Sequence, residues 1–386
     1  MKQNNLVNSS LLKEIRGLIT AARTAVVRSV DTIQVVTNFE IGRRIVEHEQ
    51  KGDYRAQYGK QLIEVLSRKL SEEFGKGFSK SNVEYMRKFY LLYHERVEKN
   101  CQVSSVKLIE NQKSQIVSGD FGIKIPQTVS GESKPFTLSW SHYVFLIGLD
   151  NEKERTFYEI ESYQQNWSLR ELKRQFNSSL YERLALSRDK DGVRKLAKEG
   201  QVVTKPGDLL KEPYVLEFLG LDENVKYSES DLESAIIDKL EHFLLELGKG
   251  FLFEARQKRF TFAEDHFFVD LVFYNRLLES YVLIDLKIGK ITHQDLGQMQ
   301  MYVNYFDRYV KKEKEGSTIG IILCREKHDA LVEITLPKGA NIHAKEYKLY
   351  LPSKEELKRK LLEWSREETA NNSAKLSAEK KRKKVR

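Results

Sequence analysis

The sequence predicts two fold classes in tandem: a helical N-terminal region, then a C-terminal α/β domain with a central mixed sheet. Three observations carry this. Apolar residues recur at helical spacing over 10–95 and again from Leu138 to about Leu196. Two short runs rich in aromatic and β-branched residues, Phe267–Tyr274 and Tyr281–Leu286, flank a break at Asn275–Ser280, as in a hairpin of largely buried strands. A continuous apolar run, Thr318–Leu323, follows a helix-patterned segment, Thr292–Tyr309, as a strand buried on both faces would.

A length of 386 residues suits two or three domains, and 40% apolar with 31% charged residues allows ordinary globular cores. No apolar run of about 18 residues marks a membrane span. The opening stretch MKQNNLVNSSLLKEIR has no apolar h-region of a secretory signal. Cys101 and Cys324 suggest no disulfide framework, and a cytoplasmic location is expected. The formal net charge is +9, but Lys375–Arg386 alone holds seven Lys/Arg and one Glu. The basic surplus favours a polyanionic partner mainly through this tail, which reads either as a nucleic-acid arm or as a solubilising extension.

The helical region, residues 1–200, opens with Leu11, Leu12, Ile15, Leu18 and Ile19, and later Leu62, Val65, Leu66 and Leu70, at helical spacing. The second helix is expected to end near Phe74-Gly75-Lys76-Gly77. Ser79 or Ser81 can cap the next helix, which is expected to run to about Tyr93. Helix, short glycine turn, helix is the outline of a helix-turn-helix. Its second helix offers Lys80, Asn82, Tyr85, Arg87 and Lys88 as a DNA-reading surface. A plain helical hairpin with a solvated basic face fits the same pattern. Residues 96–135 are polar and aperiodic and read as a loop or insertion. His142, Trp140 and Trp167 read as packing residues rather than catalytic or stacking ones.

Pro206-Gly207 punctuates a linker over 201–227, and the α/β domain is expected over 228–352. Ser230 and Glu233 have capping-box spacing, and the helix after them is patterned to bury Leu232, Ile236, Ile237, Leu240, Phe243, Leu244 and Leu247. Glu233 falls within that apolar arc, so it can serve as cap, as metal ligand, or as both. Glu229 and Glu241 are weaker candidates. Phe251–Gln257 reads as a strand ending in Arg256, which suits either a phosphate contact or a surface ion pair. Val332–Leu336 reads as an edge strand, and 353–386 as a charged helix with the basic tail.

The hairpin carries the chemistry. Each of its runs contains a carboxylate, Asp270 and Asp285, and a carboxylate in a buried strand is costly unless paired or bound to a cation. Two such groups side by side raise one pKa unless a metal neutralises both. Asp285 and Lys287 are two apart, so they share a face. Carboxylates that hold Mg²⁺, with an ammonium beside them, suit phosphodiester hydrolysis.

Asp270 followed by Asp285-Leu286-Lys287 resembles the PD-(D/E)xK nuclease signature, and Gln298-x-x-x-Tyr302 resembles the Q-x-x-x-Y element of RecB-type members. The wider pattern resembles the bacterial YhcG family: Phe251 to Gln257, then FFVDLVFYNR, IDLKIGK and GQMQMYVNYFD, with Tyr58-Gly59, Phe74-Gly75-x-Gly77-Phe78-Ser79 and Met86-Arg87-x-Phe89-Tyr90 at the N-terminal end. Many members carry Glu where this chain has Asp285. The resemblance implies a restriction-endonuclease-like αβββαβ core and a winged-helix-like N-terminal domain. It also implies a Mg²⁺ (or Mn²⁺) site of Glu233, Asp270, Asp285 and the Leu286 carbonyl, with Lys287, Gln298 and Tyr302 acting at the substrate. The expected function is a metal-dependent deoxyribonuclease in DNA defence, recombination or repair, with DNA and further protein copies or partners as its contacts. Two other readings remain: a catalytically silent binding module on the nuclease fold, and an RNase. No G-x-x-x-x-G-K-[ST] motif proposes ATP use.

Overall fold

A computed structural model describes residues 9–51, 56–110, 136–188, 190–221, 226–262, 264–337, 339–360 and 363. The polar stretch 111–135 and the basic tail therefore lie outside the described residues. The chain divides into two compact units, Met1–Arg155 and Thr156–Arg386.

The first unit is built from α1 (Ser9–Lys51), α2 (Ala56–Phe74), α3 (Lys80–Glu110) and α4 (Trp140–Leu146). Gly75 and Gly77 take φ of 79° and 118° between α2 and α3. A Cβ disfavours such backbone, so the two glycines allow a very short turn. Ser79 caps α3, its hydroxyl accepting from the Asn82 N–H at 3.3 Å. α1, α3 and α4 meet in an aromatic core, where Phe89 lies 4.9 Å from both Phe136 and Tyr143, centroid to centroid.

The helix–turn–helix outline is present, but the described residues of this unit contain no strand, so no wing is seen among them. α3 also continues to Glu110, through the first part of the expected loop. No Gly or Pro interrupts residues 94–110, so nothing in the chain stops the helix at Tyr93.

The second unit holds a six-stranded sheet in the order β1-β6-β5-β4-β3-β2. The strands are β1 (Tyr214–Val215), β2 (Phe251–Phe262), β3 (Asp265–Asn275), β4 (Ser280–Lys290), β5 (Ile319–Glu326) and β6 (Ile342–Lys348). β2, β3 and β4 are antiparallel neighbours, whereas β4, β5, β6 and β1 run parallel. α9 (Glu229–Asp238) and α10 (Leu240–Leu247) cover one face through Leu232, Ile236 and Phe243, against Leu271, Phe273 and Ile284. α11 (His293–Tyr305) and α12 (Asp329–Thr335) cover the other, with Leu296, Met299 and Val303 against Val272, Leu283 and Ile322. A Cβ on Gly320 of β5 would come within 2.7 Å of the Met299 side chain, so this glycine lets α11 lie close on the sheet.

Four shorter helices precede the sheet: α5 (Glu152–Gln164), α6 (Leu169–Asn177), α7 (Leu180–Leu186) and α8 (Lys190–Glu199). α6 and α7 are tied to α10 by buried charge. Arg183 and Glu246, both without exposed side-chain surface, pair at 2.5 Å. Arg174 reaches Glu246 and Glu217, each at 3.1 Å. Burial alone would raise the Glu246 carboxyl, but Arg183, Lys211 and Arg174 together bring it down to about 2.

Four local expectations are corrected. The stretch 201–227 is no plain linker, since Leu209, Tyr214, Val215 and Leu216 are fully buried and β1 extends the sheet. Residues 332–336 belong to α12 rather than to an edge strand; that edge is formed by β6 and β1. The helix expected after Ser230 is two helices, broken at Lys239. Its cap is Ser228, whose hydroxyl accepts from the Asp231 N–H at 3.1 Å while Asp231 accepts from the Ser228 N–H at 2.8 Å. Ser228/Asp231 and Ser230/Glu233 have the same spacing, and the earlier start leaves Glu233 free of capping.

Candidate active site

Asp270 lies on β3, and Asp285, Leu286 and Lys287 on β4. The antiparallel register ends at the pair Leu271–Ile284, one residue from Asp270 on β3 and from Asp285 on β4. Asp285 is 2% exposed. Burial, then the adjacent Asp270 charge, pushes its carboxyl up to about 7, against the opposing pull of Lys287. Lys287 Nζ stands 2.9 Å from Asp285 Oδ2, as their shared face requires. Burial would lower the Lys287 ammonium, but Asp285 more than reverses this and holds it above its ordinary value. Lys287 also lies 3.6 Å from Glu229 and 3.9 Å from Asp295, the capping-box acid at the start of α11.

Asp270 is held from two sides. Its Oδ2 accepts from the Leu286 N–H at 2.8 Å, and its Oδ1 from Gln257 Nε2 at 3.1 Å. Gln257 also donates to Glu233, and Arg256 Nε lies 3.1 Å from the other Glu233 oxygen. The Arg256 side chain is therefore engaged in an ion pair with a buried partner. Gln298 donates to the Tyr302 hydroxyl, which donates to the Phe268 carbonyl at 2.8 Å. This pair is satisfied between helix and sheet, and it clamps α11 two residues before Asp270.

The oxygen-rich set suits a hard divalent cation. The buried atoms Asp285 Oδ2 and Glu233 Oε1 each have a cationic neighbour but no aligned hydrogen-bond donor. Among the described residues, however, no three His, Cys, Asp or Glu side chains converge closely enough to hold an ion as they stand. The Gln257 amide stands between Glu233 and Asp270.

The helix–turn–helix residues divide. Tyr85 and Lys88 are exposed, and Lys80 is exposed with a loose 3.7 Å contact to Glu64. Asn82 is occupied, donating to the Gly77 carbonyl and accepting from Trp140 Nε1 at 2.8 Å. Arg87 Nε is held by both carboxylate oxygens of Glu49, at 2.8 and 3.0 Å.

The sequence reading passed over two residues at the site. Asp295 carried a signal, the Thr292-x-x-Asp295 capping spacing before α11. Gln257 was read only as the end of the expected strand Phe251–Gln257, with no role at the site, because its placement beside the acids depends on its backbone conformation.

Two acids and a lysine thus stand at adjoining strands of a mixed sheet. Residues 207–362 match the family described as the YhcG PDDEXK nuclease domain, and 14–183 match the DUF1016 N-terminal domain. The chain is 41% identical over 342 residues to "Putative nuclease YhcG" of Escherichia coli (strain K12), covering 88% of this chain and 90% of that protein. It belongs to the YhcG family. Two solved structures also align: a repair endonuclease from Pyrococcus abyssi (17% identity, TM-score 0.23) and an EndoMS–dsDNA complex (15%, TM-score 0.23). They align over 34% and 35% of this chain, which spans about half of each of theirs. No helix among the described residues is long and apolar enough to cross a membrane.

Proposed function

We propose that the protein is a Mg²⁺- or Mn²⁺-dependent nuclease that hydrolyses phosphodiester bonds in DNA. The carrying observation is the contact of Asp285 with Lys287 at 2.9 Å, beside Asp270. Asp270, Asp285, Glu233 and the Leu286 carbonyl would hold the ion. When bound, it would polarise the phosphoryl oxygen and acidify a water. Lys287 stays protonated and offsets the negative charge that grows on the phosphoryl oxygens. Tyr302 and Gln298 fix α11 against β3 and so keep the acidic strand pair in register with the helix. In the first unit, Lys80, Tyr85 and Lys88 are the exposed side chains we assign to DNA contact.

The test is cleavage of linear, circular and branched DNA, with an RNA substrate alongside, in Mg²⁺, Mn²⁺ and EDTA. Asp270→Asn is expected to abolish cleavage while the protein stays folded. Full activity of that variant, or of the native protein in EDTA, would remove the assignment, and cleavage of RNA alone would reassign the substrate.

A further inference from the structure

Consecutive side chains of a regular strand point to opposite faces. Arg256 and Gln257 depart from this: both reach Glu233, Arg256 at one carboxylate oxygen and Gln257 at the other. The departure arises in the backbone. Gln257 has φ of 45°, a left-handed conformation uncommon for any residue except glycine, asparagine and aspartate. The β2–β3 register places Gln257 between the pairs Arg256–Leu271 and Lys258–Val269, and so opposite Asp270. From there its amide nitrogen donates both to Glu233 and, at 3.1 Å, to Asp270.

The residue type fits that position in a way its alternatives do not. A lysine here would add a third fixed cation to Arg256 and Lys287 and so oppose a bound ion. A third carboxylate would repel the other two in the ion-free protein. An amide carries a donor and an acceptor on one planar group, and its terminal torsion is soft. With nitrogen inward it satisfies the two acids. With oxygen inward it is a neutral oxygen donor of the kind hard divalent cations accept.

We infer that Gln257 is a further donor of the cation site, joining Glu233 to Asp270: its amide nitrogen faces the acids in the ion-free protein, and its oxygen faces the ion when one is bound. The inference rests on the metal-dependent reading of the site and adds to it a residue outside the acid–acid–lysine pattern. It also gives a function to the strained backbone at 257.

The experiment is calorimetric titration of the full-length protein with Mn²⁺, in the absence of nucleic acid. Gln257→Gly retains the left-handed backbone and removes the amide. It is expected to raise the Kd for Mn²⁺ about tenfold, the scale found for residues that support metal ligands. Gln257→Glu puts a charged oxygen at the same reach. It is expected to bind Mn²⁺ at least as tightly as the native protein, and to melt earlier than the native protein in EDTA. Unchanged or tighter binding by Gln257→Gly would overturn the inference, since the amide would then be a bystander or a competitor. Should Gln257→Gly lose its fold, Gln257→Asn decides by the same criterion. Asparagine tolerates this backbone but is too short to span both acids. Asp270→Asn is the control. Native Mn²⁺ affinity there would overturn the cation-site reading itself. Lost affinity there, with native affinity in Gln257→Gly, would overturn the role of Gln257 alone.

Discussion

At the scale of single residues, two neighbouring aspartates are held very differently. Asp270 accepts two hydrogen bonds, from a backbone amide and from Gln257, whereas Asp285 is more deeply buried and has the Lys287 ammonium as its cationic neighbour. Lys287 is thus largely buried beside the acids rather than at an exposed rim, and the proposed hydrolysis assigns it to the developing phosphoryl charge. Lys287→Ala is expected to lower turnover by about two to three orders of magnitude, the scale of a lost transition-state donor, while DNA affinity changes little. Single-turnover kinetics beside equilibrium binding would check this, and equal losses in both would make the lysine an ordinary phosphate contact. The strand pair with its Asp, Asp and Lys was legible in the sequence because period-two alternation fixes which side chains share a face. Gln257 was not legible, because only a left-handed φ brings it beside the acids, and no pattern of residue types encodes that angle.

At the scale of elements, the antiparallel β2–β3–β4 set brings the acids together, and the crossover through α11 to β5 closes one face over them. The hairpin and the β5 run announced themselves by composition, since they are buried on both sides. β1 is two residues long and too short for any periodicity to mark it. β6 reads IHAKEYK, with four polar or charged side chains among seven even without its tyrosine, and its neighbour 332–336 looked the better strand. Yet β6 is well buried, and His343 shows it. Its Nε2 is buried without a hydrogen-bond partner, and burial, then the Lys345 charge, lowers its pKa to about 4. The unfolded chain takes up a proton here near pH 6.5, the folded chain only near 4. The contribution to stability is therefore complete above pH 6.5 and drains away as pH falls toward 4, by at most about 1.4 kcal/mol per pH unit. Urea melts at pH 7 and pH 5 are expected to show a smaller pH-dependent loss for His343→Leu than for the native protein. An equal loss would place the effect elsewhere.

At the scale of the whole molecule, the residues proposed for cleavage all lie in the second unit and the exposed Lys80 and Lys88 of α3 in the first. Affinity and chemistry are therefore expected to separate by mutation. In an Asp270→Asn background, replacing Lys80 and Lys88 together by Ala should lower the slope of log K against log salt by about 0.9 for each phosphate contact removed. Filter binding at several salt concentrations would measure it. An unchanged slope would give this face to a protein partner. The sequence reading placed one helical domain over 1–200, whereas the compact units divide at Arg155 and Thr156. Helical spacing alone cannot tell which core a helix joins. For α6 and α7 the deciding contacts are long-range ion pairs to Glu246, and residue spacing does not reveal these.

The far edge of the sheet has a consequence in time. β1 finds its place only beside β6, and the ion pair between Glu212 and Lys345, at 2.6 Å, joins residues 133 positions apart. Closing so long a loop costs little extra free energy, because that cost grows only with the logarithm of length. It slows assembly, because pairings distant in sequence are late to form. Until β6 arrives, β5 shows a bare apolar border to whatever is nearby, so the newly made chain is most exposed to misassociation before its last strand docks.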